Sequence, residues 1–166
     1  DTTLTVRRSA FMMLNTALET SDTEVDLDEV TMSDVEEGGN FSGVGGVIVP
    51  NSVTSSARGF SGNISAVMGE RRPLAFRNNR IETTNDSAID IRAGSPGVWD
   101  LDVLNNELTL TQASYANGFS INVSNNEDNE AGTVQVVNNS ASNFSYAMNL
   151  SIDEGGIGTE EHVATE

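Results

Sequence analysis

Few residues in this sequence could act as nucleophiles or soft metal ligands. There is no cysteine, and His162 is the sole histidine. A Ser–His–Asp triad needs a histidine held in place by a carboxylate, and zinc sites draw on several cysteine or histidine ligands. Carboxylates are abundant, but no pair of them lies in an apolar stretch that suits glycoside hydrolysis. We therefore expect a protein that is not an enzyme.

Oxygen ligands suited to a hard cation cluster in two segments, Asp22–Glu29 and Asn125–Glu130. Calcium binds carboxylate and amide oxygens of this kind, but neither segment follows the spacing of an EF-hand loop. We interpret both as acidic solvated loops, with calcium as the alternative. No other cofactor is expected.

Asparagines in the Asn-x-Ser pattern form the clearest group of candidate modification sites. Such a sequon accepts N-linked glycans when it is exposed on an exported protein. The predicted acceptors are Asn40, Asn63, Asn122, Asn138, Asn143 and Asn149. Asn122 and Asn149 fall on the polar faces of predicted strands, which favours them.

The charge balance is strongly acidic and its basic part is purely arginine. Twenty-five acidic residues stand against eight basic ones, giving a formal charge of −17, and lysine is absent. Such a net charge favours solubility, but the acidic residues repel one another within the folded state. Molar salt screens it over about 3 Å, so we expect a salt-adapted source. Nucleic acid and anionic membranes are not expected partners, because both require a basic surface.

Four arginines lie close together in the sequence, at Arg71, Arg72, Arg77 and Arg80. Arginine suits carboxylate recognition because its planar fork binds both oxygens. Two interpretations stay open. The group either neutralises acids within its own subunit or forms a basic patch that receives acids of the next copy.

The elements that would carry these residues are strands. Apolar residues alternate with polar ones in short runs, most clearly over residues 143–153, where Phe144, Tyr146, Met148, Leu150 and Ile152 share one face. A strand with one buried face has this pattern. Asparagine doublets separate the runs and predict turns, and Asn105-Asn106 predicts a tight hairpin. We expect an all-β protein, an Ig-like or jelly-roll-type antiparallel β-sandwich with an extended N-terminal strand.

The first eighteen residues are predicted to be an extended arm, with the sandwich domain over residues 19–166. Leu4 and Val6 alternate with threonines, and Phe11 and Met13 follow in a short apolar run. Such a strand can complete the sheet of a neighbouring molecule and so build a filament. Alternatively, it pairs within its own domain as the first strand.

In layout, the chain resembles the Ig-like β-sandwich subunits of extracellular pili and biofilm filaments. From the N-terminal strand we expect a structural protein that polymerises head to tail with copies of itself by donating that strand. We expect it to be exported, since the sequence begins at Asp1 rather than methionine,. No apolar run reaches the length of about 20 residues that a membrane helix needs. The alternatives are a viral capsid or tail decoration protein, and a sugar-binding or adhesive module centred on Trp99 and Tyr115.

Overall fold

The structure is a computed structural model that describes residues 2–49, 51–94, 97–112, 115–125 and 132–154. Within these residues every regular element is a strand. The strands are β1 (Thr3–Arg7), β2 (Ala10–Met12), β3 (Thr16–Ser21), β4 (Glu24–Asp28), β5 (Val30–Val44), β6 (Val47–Val49), β7 (Asn51–Ser65), β8 (Arg71–Arg77), β9 (Arg80–Thr83), β10 (Ile89–Gly94), β11 (Val98–Leu104), β12 (Glu107–Leu110), β13 (Asn117–Asn125), β14 (Val134–Val137), β15 (Ser140–Ser142) and β16 (Tyr146–Glu154). The expectation of an all-β protein is confirmed.

The strands wind into six stacked coils with three faces each. Coil 1 holds β1 to β3, coil 2 holds β4 and β5, coil 3 holds β6 and β7, and coils 4, 5 and 6 each take the next three strands. Face I is the sheet β1-β4-β6-β8-β11-β14. The long strands β5 and β7 bend from face II into face III, so those two faces form one ten-stranded sheet. Face II ends in β15 and face III ends in β16.

All strand pairs among the described residues are parallel, so the predicted antiparallel sandwich is wrong. The alternation was interpreted correctly as one buried and one solvated face. In a coil, however, a parallel strand also has one inward and one outward face, so period two does not fix strand direction. The predicted hairpin at Asn105-Asn106 is also wrong, because β11 and β12 belong to different sheets and do not pair with each other.

Apolar side chains stack along the inside of the coils. On face I, one such row runs from Leu4 through Val25, Val47, Leu74 and Leu101 to Val134. Its members in coils 2 to 5 are at most 1% exposed. Burial of these rows supplies the main favourable free energy of folding. Phe41, Phe60 and Phe76 add ring contacts, with centroids 6.0 Å and 6.2 Å apart.

Asparagines hold the corner between faces I and II. Asn78, Asn105 and Asn138 have φ of 54–55°, a conformation that asparagine tolerates better than most residues. The next residues, Asn79, Asn106 and Asn139, form an inner ladder. Asn79 Nδ2 donates to Asn106 Oδ1 and Asn106 Nδ2 donates to Asn139 Oδ1, each at 2.8 Å. These predicted turns are therefore coil corners.

Small residues form a row at the start of face III. Ala17, Gly38, Gly59, Ala88, Gly118 and Ala147 occupy equivalent positions in the six coils. A Cβ on Gly59 would lie 2.4 Å from the carbonyl oxygen of Ala88. The alternation of inward and outward side chains is interrupted at this row. For this reason Tyr146, just before Ala147, is 57% exposed, whereas Met148, just after it, packs against the core.

Candidate assembly surfaces at the two ends of the coil stack

The N-terminal segment is the first coil of the same stack. Leu4, Val6 and Phe11 lie in register with Val25, Leu27 and Met32 of coil 2. Residues 3–21 are therefore paired within their own chain, as the alternative to the extended arm anticipated. Met13 differs from the other three predicted donor residues. It lies at a corner with φ of 57° and is 77% exposed.

Inward-pointing side chains of coil 1 are only partly covered. Val6, Phe11 and Leu18 are half-buried, whereas their equivalents in coil 2 and coil 3, such as Leu27, Met32 and Phe60, are 0–1% exposed. The difference arises because a middle coil is covered on both sides and coil 1 is covered on one. Coil 1 thus presents an apolar end surface.

Coil 6 shows the same property at the opposite end. Its inward residues Val134, Val136, Ala141, Met148 and Leu150 are partly buried and pack on coil 5. The equivalent residues of coil 5 are at most 2% exposed; they are Leu101, Val103, Leu108, Phe119 and Ile121. Both ends of the described stack therefore leave apolar surface that one more coil would cover.

The terminal strands also have free backbone edges within the described part of the chain. Strands β1, β2 and β3 pair only with coil 2, and β14, β15 and β16 pair only with coil 5. The carbonyl oxygen of Thr2 accepts from Glu24, and the N–H of Arg8 donates to Asp28. Along a strand, the backbone N–H and C=O groups of successive residues point to alternate edges. The N–H groups of Thr3, Thr5 and Arg7 therefore point away from coil 2. An edge of this kind can receive another strand.

Charge is sparser in the two end coils than in the middle ones. Coil 1 contains Arg7, Arg8 and Glu19 as its only charged residues, and coil 6 contains only Asp153 and Glu154, the last two residues of β16. Residues 22–131, by contrast, hold eighteen acidic residues and six arginines. The two ends of the stack therefore carry fewer acidic residues than its flanks.

The arginine group forms ion pairs inside the chain. Arg71 binds both carboxylate oxygens of Asp100, at 2.7 Å and 3.1 Å. Arg72 contacts Glu24 at 3.1 Å and Glu70 at 2.5 Å. Arg77 pairs with Asp102, and Arg80 lies 4.0 Å from Glu107. The geometry matches the interpretation in which these arginines neutralise acids of their own subunit.

Two carboxylate–arginine contacts shift pKa values. Burial alone would raise the pKa of Asp100, but hydrogen bonds from Arg71 and Thr133 outweigh it and lower that pKa from its ordinary 3.8. Burial alone would lower the pKa of Arg58. The hydrogen bond to Asp86 and the charges of Asp86, Asp90 and Glu37 raise it instead. Both groups remain charged at neutral pH.

Four of the predicted glycan acceptors share one outer surface. Asn40, Asn63, Asn122 and Asn149 all point outward on face III, and the last three are exposed. The other two lie at corners, where Asn138 donates to Asn105 at 2.9 Å and Asn143 donates to the carbonyl of Leu110 at 3.0 Å. Sequence reasoning missed a further sequon at Asn85, whose signal is Asn-Asp-Ser.

An open groove of about 520 Å³ lies beside the first coil, between faces II and III. Its lining residues are Met13, Leu14, Asn15, Asp34, Val35, Glu36, Thr54, Ser55 and Thr84. Ser55 Oγ is buried and has no hydrogen-bond partner in the described part of the chain. Met13 and Leu14, with Met12, are exposed apolar residues of coil 1.

The other candidate binding residues fit less well. Trp99 is fully buried, and its Nε1 donates to the carbonyl of Gly94 at 2.9 Å, so a sugar-stacking surface centred on Trp99 is wrong. Tyr115 is 90% exposed. Among the described residues, no three or more acidic or histidine side chains are grouped to hold a metal ion. His162 and residues 126–130 of the second calcium candidate lie outside the described residues.

Sequence reasoning missed the coils that create these end surfaces. Equivalent residues of successive coils are 21, 22, 27, 27 and 33 positions apart on face I. The asparagine doublets at 78, 105 and 138 follow two of these intervals and were the available signal.

None of the described residues forms a helix long and apolar enough to cross a membrane. No protein-family model, curated protein or solved structure matches this chain.

Proposed function

We propose that this protein is a structural subunit of an extracellular filament that polymerises head to tail with copies of itself. The half-buried apolar residues of the two terminal coils carry the proposal, since another coil would bury them as coils 2 to 5 are buried. The free edges of β1 to β3 and β14 to β16 support it, because strand addition satisfies backbone groups that water otherwise solvates.

The proposed contact keeps the N-terminal strand as the element that joins two subunits. β1 stays in its own sheet and offers its outer edge, so no segment has to leave one subunit for another. Coil 1 and coil 6 are different surfaces at opposite ends of the stack, so the contact is heterologous and repeats along the stack axis,. A chain of subunits follows, rather than a dimer.

Acidic flanks favour growth along the stack axis. Two copies placed side by side bring their middle coils together, where most of the acidic residues lie. Two copies placed end to end would meet through coils 1 and 6, which together hold only three acidic residues, Glu19, Asp153 and Glu154. Repulsion between whole subunits still opposes association, and molar salt removes most of it. We propose an extracellular location, which the outward sequons on face III support.

Blocking the free edge of β1 tests the proposal. Thr5→Pro removes an N–H that points away from coil 2, and proline is tolerated on an edge strand in that position. Loss of one intersubunit hydrogen bond costs about 1.4 kcal/mol, which raises the protein concentration needed for assembly about tenfold. Thr5→Ala keeps the N–H and serves as the matched control.

The measurement is sedimentation velocity with negative-stain electron microscopy, at low salt and at molar salt. The wild type and Thr5→Ala should form filaments at molar salt, and Thr5→Pro should need the higher concentration. Circular dichroism checks that the fold of Thr5→Pro is intact. A wild-type protein that stays monomeric at millimolar concentration in molar salt would refute the proposed function.

A further inference from the structure

The first and last coils are congruent although they lie at opposite ends of the stack. β2 begins at residue 10 and β15 at residue 140, while β3 begins at residue 16 and β16 at residue 146. An offset of 130 residues therefore relates both pairs of strands. The left-handed corner residues obey the same offset, because Arg8 matches Asn138 and Met13 matches Asn143.

The contact between coils 1 and 2 shows how such coils fit. Their equivalent residues are 21 apart at every face, and the corners join as well as the strands. The N–H of Arg8 donates to Asp28 at 3.0 Å, and the N–H of Thr31 donates to Ser9 at 2.9 Å. Coils 4 and 5 differ, because they carry longer corners between faces II and III, over residues 84–88 and 111–116. Coils of the same outline, without such insertions, stack so that each residue lies beside its equivalent in the next coil.

We propose that coil 6 of one copy stacks on coil 1 of the next in the register defined by the 130-residue offset. The inference rests on the proposed self-association and specifies its interface. On face I, Val134 and Val136 would contact Leu4 and Val6 of the next copy. On face II, the small Ala141 would receive the large Phe11.

The backbone groups match in this register. By analogy with coils 1 and 2, the N–H of Asn138 donates to the carbonyl of Arg7 in the next copy. The N–H of Ala10 in the next copy donates to the carbonyl of Asn139, as Ser140 does to Asn106 within the chain. Each partner contributes one coil of about 20 residues, which is the size of a stable interface.

Few charges lie on the two surfaces of this pairing. Arg7 and Arg8 of coil 1 pair with Asp26 at 3.3 Å and Glu29 at 3.1 Å in their own chain. Strands β14 and β15 carry no charged residue and accept coil 1 without repulsion.

Disulfide trapping tests the register, because the chain has no cysteine of its own. Thr5 and Gln135 are exposed and occupy equivalent outward positions on face I. In the proposed register their Cα atoms lie about 4.8 Å apart, the spacing of adjacent strands, which a disulfide spans. The double variant Thr5→Cys/Gln135→Cys should give a ladder of covalent multimers under mild oxidation.

The matched control shifts one position by two residues. In Thr3→Cys/Gln135→Cys the Cα atoms would be about 8 Å apart, beyond the reach of a disulfide. Multimers should be at least tenfold less abundant than in the first pair. The single variants Thr5→Cys and Gln135→Cys should stay uncrosslinked.

The outcomes separate the register from the proposed function. Normal filaments without a covalent ladder, or with equal ladders in both pairs, would overturn the register and leave self-association standing. Covalent dimers of Thr5→Cys alone would mean that two copies of coil 1 meet. A protein that is monomeric by sedimentation at molar salt would overturn both.

Discussion

Removing Asn106 from the inner asparagine ladder should be among the most damaging single changes in the molecule. Asn106 is 2% exposed, and its side chain makes four hydrogen bonds. Its Oδ1 accepts from the backbone and the side chain of Asn79, and its Nδ2 donates to Phe76 and Asn139.

The magnitude follows from the partners left behind in Asn106→Ala. The N–H of Asn79 and the carbonyl of Phe76 lose the hydrogen bonds that Asn106 provides, in a buried corner where water does not replace them. Each such group costs about 1–3 kcal/mol. We expect a loss of about 4 kcal/mol in the free energy of unfolding, which is a large fraction of the 5–15 kcal/mol typical of a domain.

The matched control is Asn105→Gly, one residue earlier in the same corner. Asn105 is exposed and left-handed, with φ of 55°, and glycine adopts that conformation without strain. Its side-chain hydrogen bonds to Asn78 and Asn138 are exposed, so water replaces them in the variant. We expect a change below about 1 kcal/mol.

The assay is urea unfolding at low salt, followed by the fluorescence of Trp99, which is fully buried and the sole tryptophan. Stability comes from linear extrapolation with an unchanged denaturant slope. A loss below about 1 kcal/mol in Asn106→Ala would refute the reasoning that the ladder satisfies buried backbone groups.

Two further predictions concern packing and pH. Gly59→Ala should lower the free energy of unfolding by about 1–3 kcal/mol, because its Cβ would lie 2.4 Å from a backbone oxygen of the adjacent coil,. Gly94→Ala, whose Cβ would be 3.7 Å from its nearest neighbour, should change it by less than about 0.5 kcal/mol in the same urea assay,. The lowered pKa of Asp100 means that its ion pair with Arg71 stabilises the fold above pH 3.8 and ceases to do so as the pH falls through the folded-state value,. Acid titration of thermal stability should therefore be flatter for Asp100→Asn than for wild type below pH 4, and identical curves would contradict this assignment.

The sequence predicted local features better than the connections between them. The alternation at Met148 and Leu150 correctly indicated an inward face, and the doublet Asn138-Asn139 correctly indicated a change of direction. It did not indicate which strand each run pairs with, because the interval between coils varies from 21 to 33 residues.

The ion pairs could not be predicted from the sequence for the same reason. Arg71 and Asp100 are 29 residues apart, and they become neighbours only once the length of a coil is known. The end surfaces were harder still to predict, since a half-buried Val6 and a fully buried Leu27 look alike in sequence.

Between faces II and III, the longer corners belong to coils 4 and 5, while coils 1 and 6 have short corners of the same length. Variation in loop length or loop composition at residues 84–88 and 111–116 therefore changes the flank of a subunit without altering either face that would join it to another. Subunits with dissimilar flanks would remain interchangeable, and new surface properties could be introduced along a fibre without redesigning its joints.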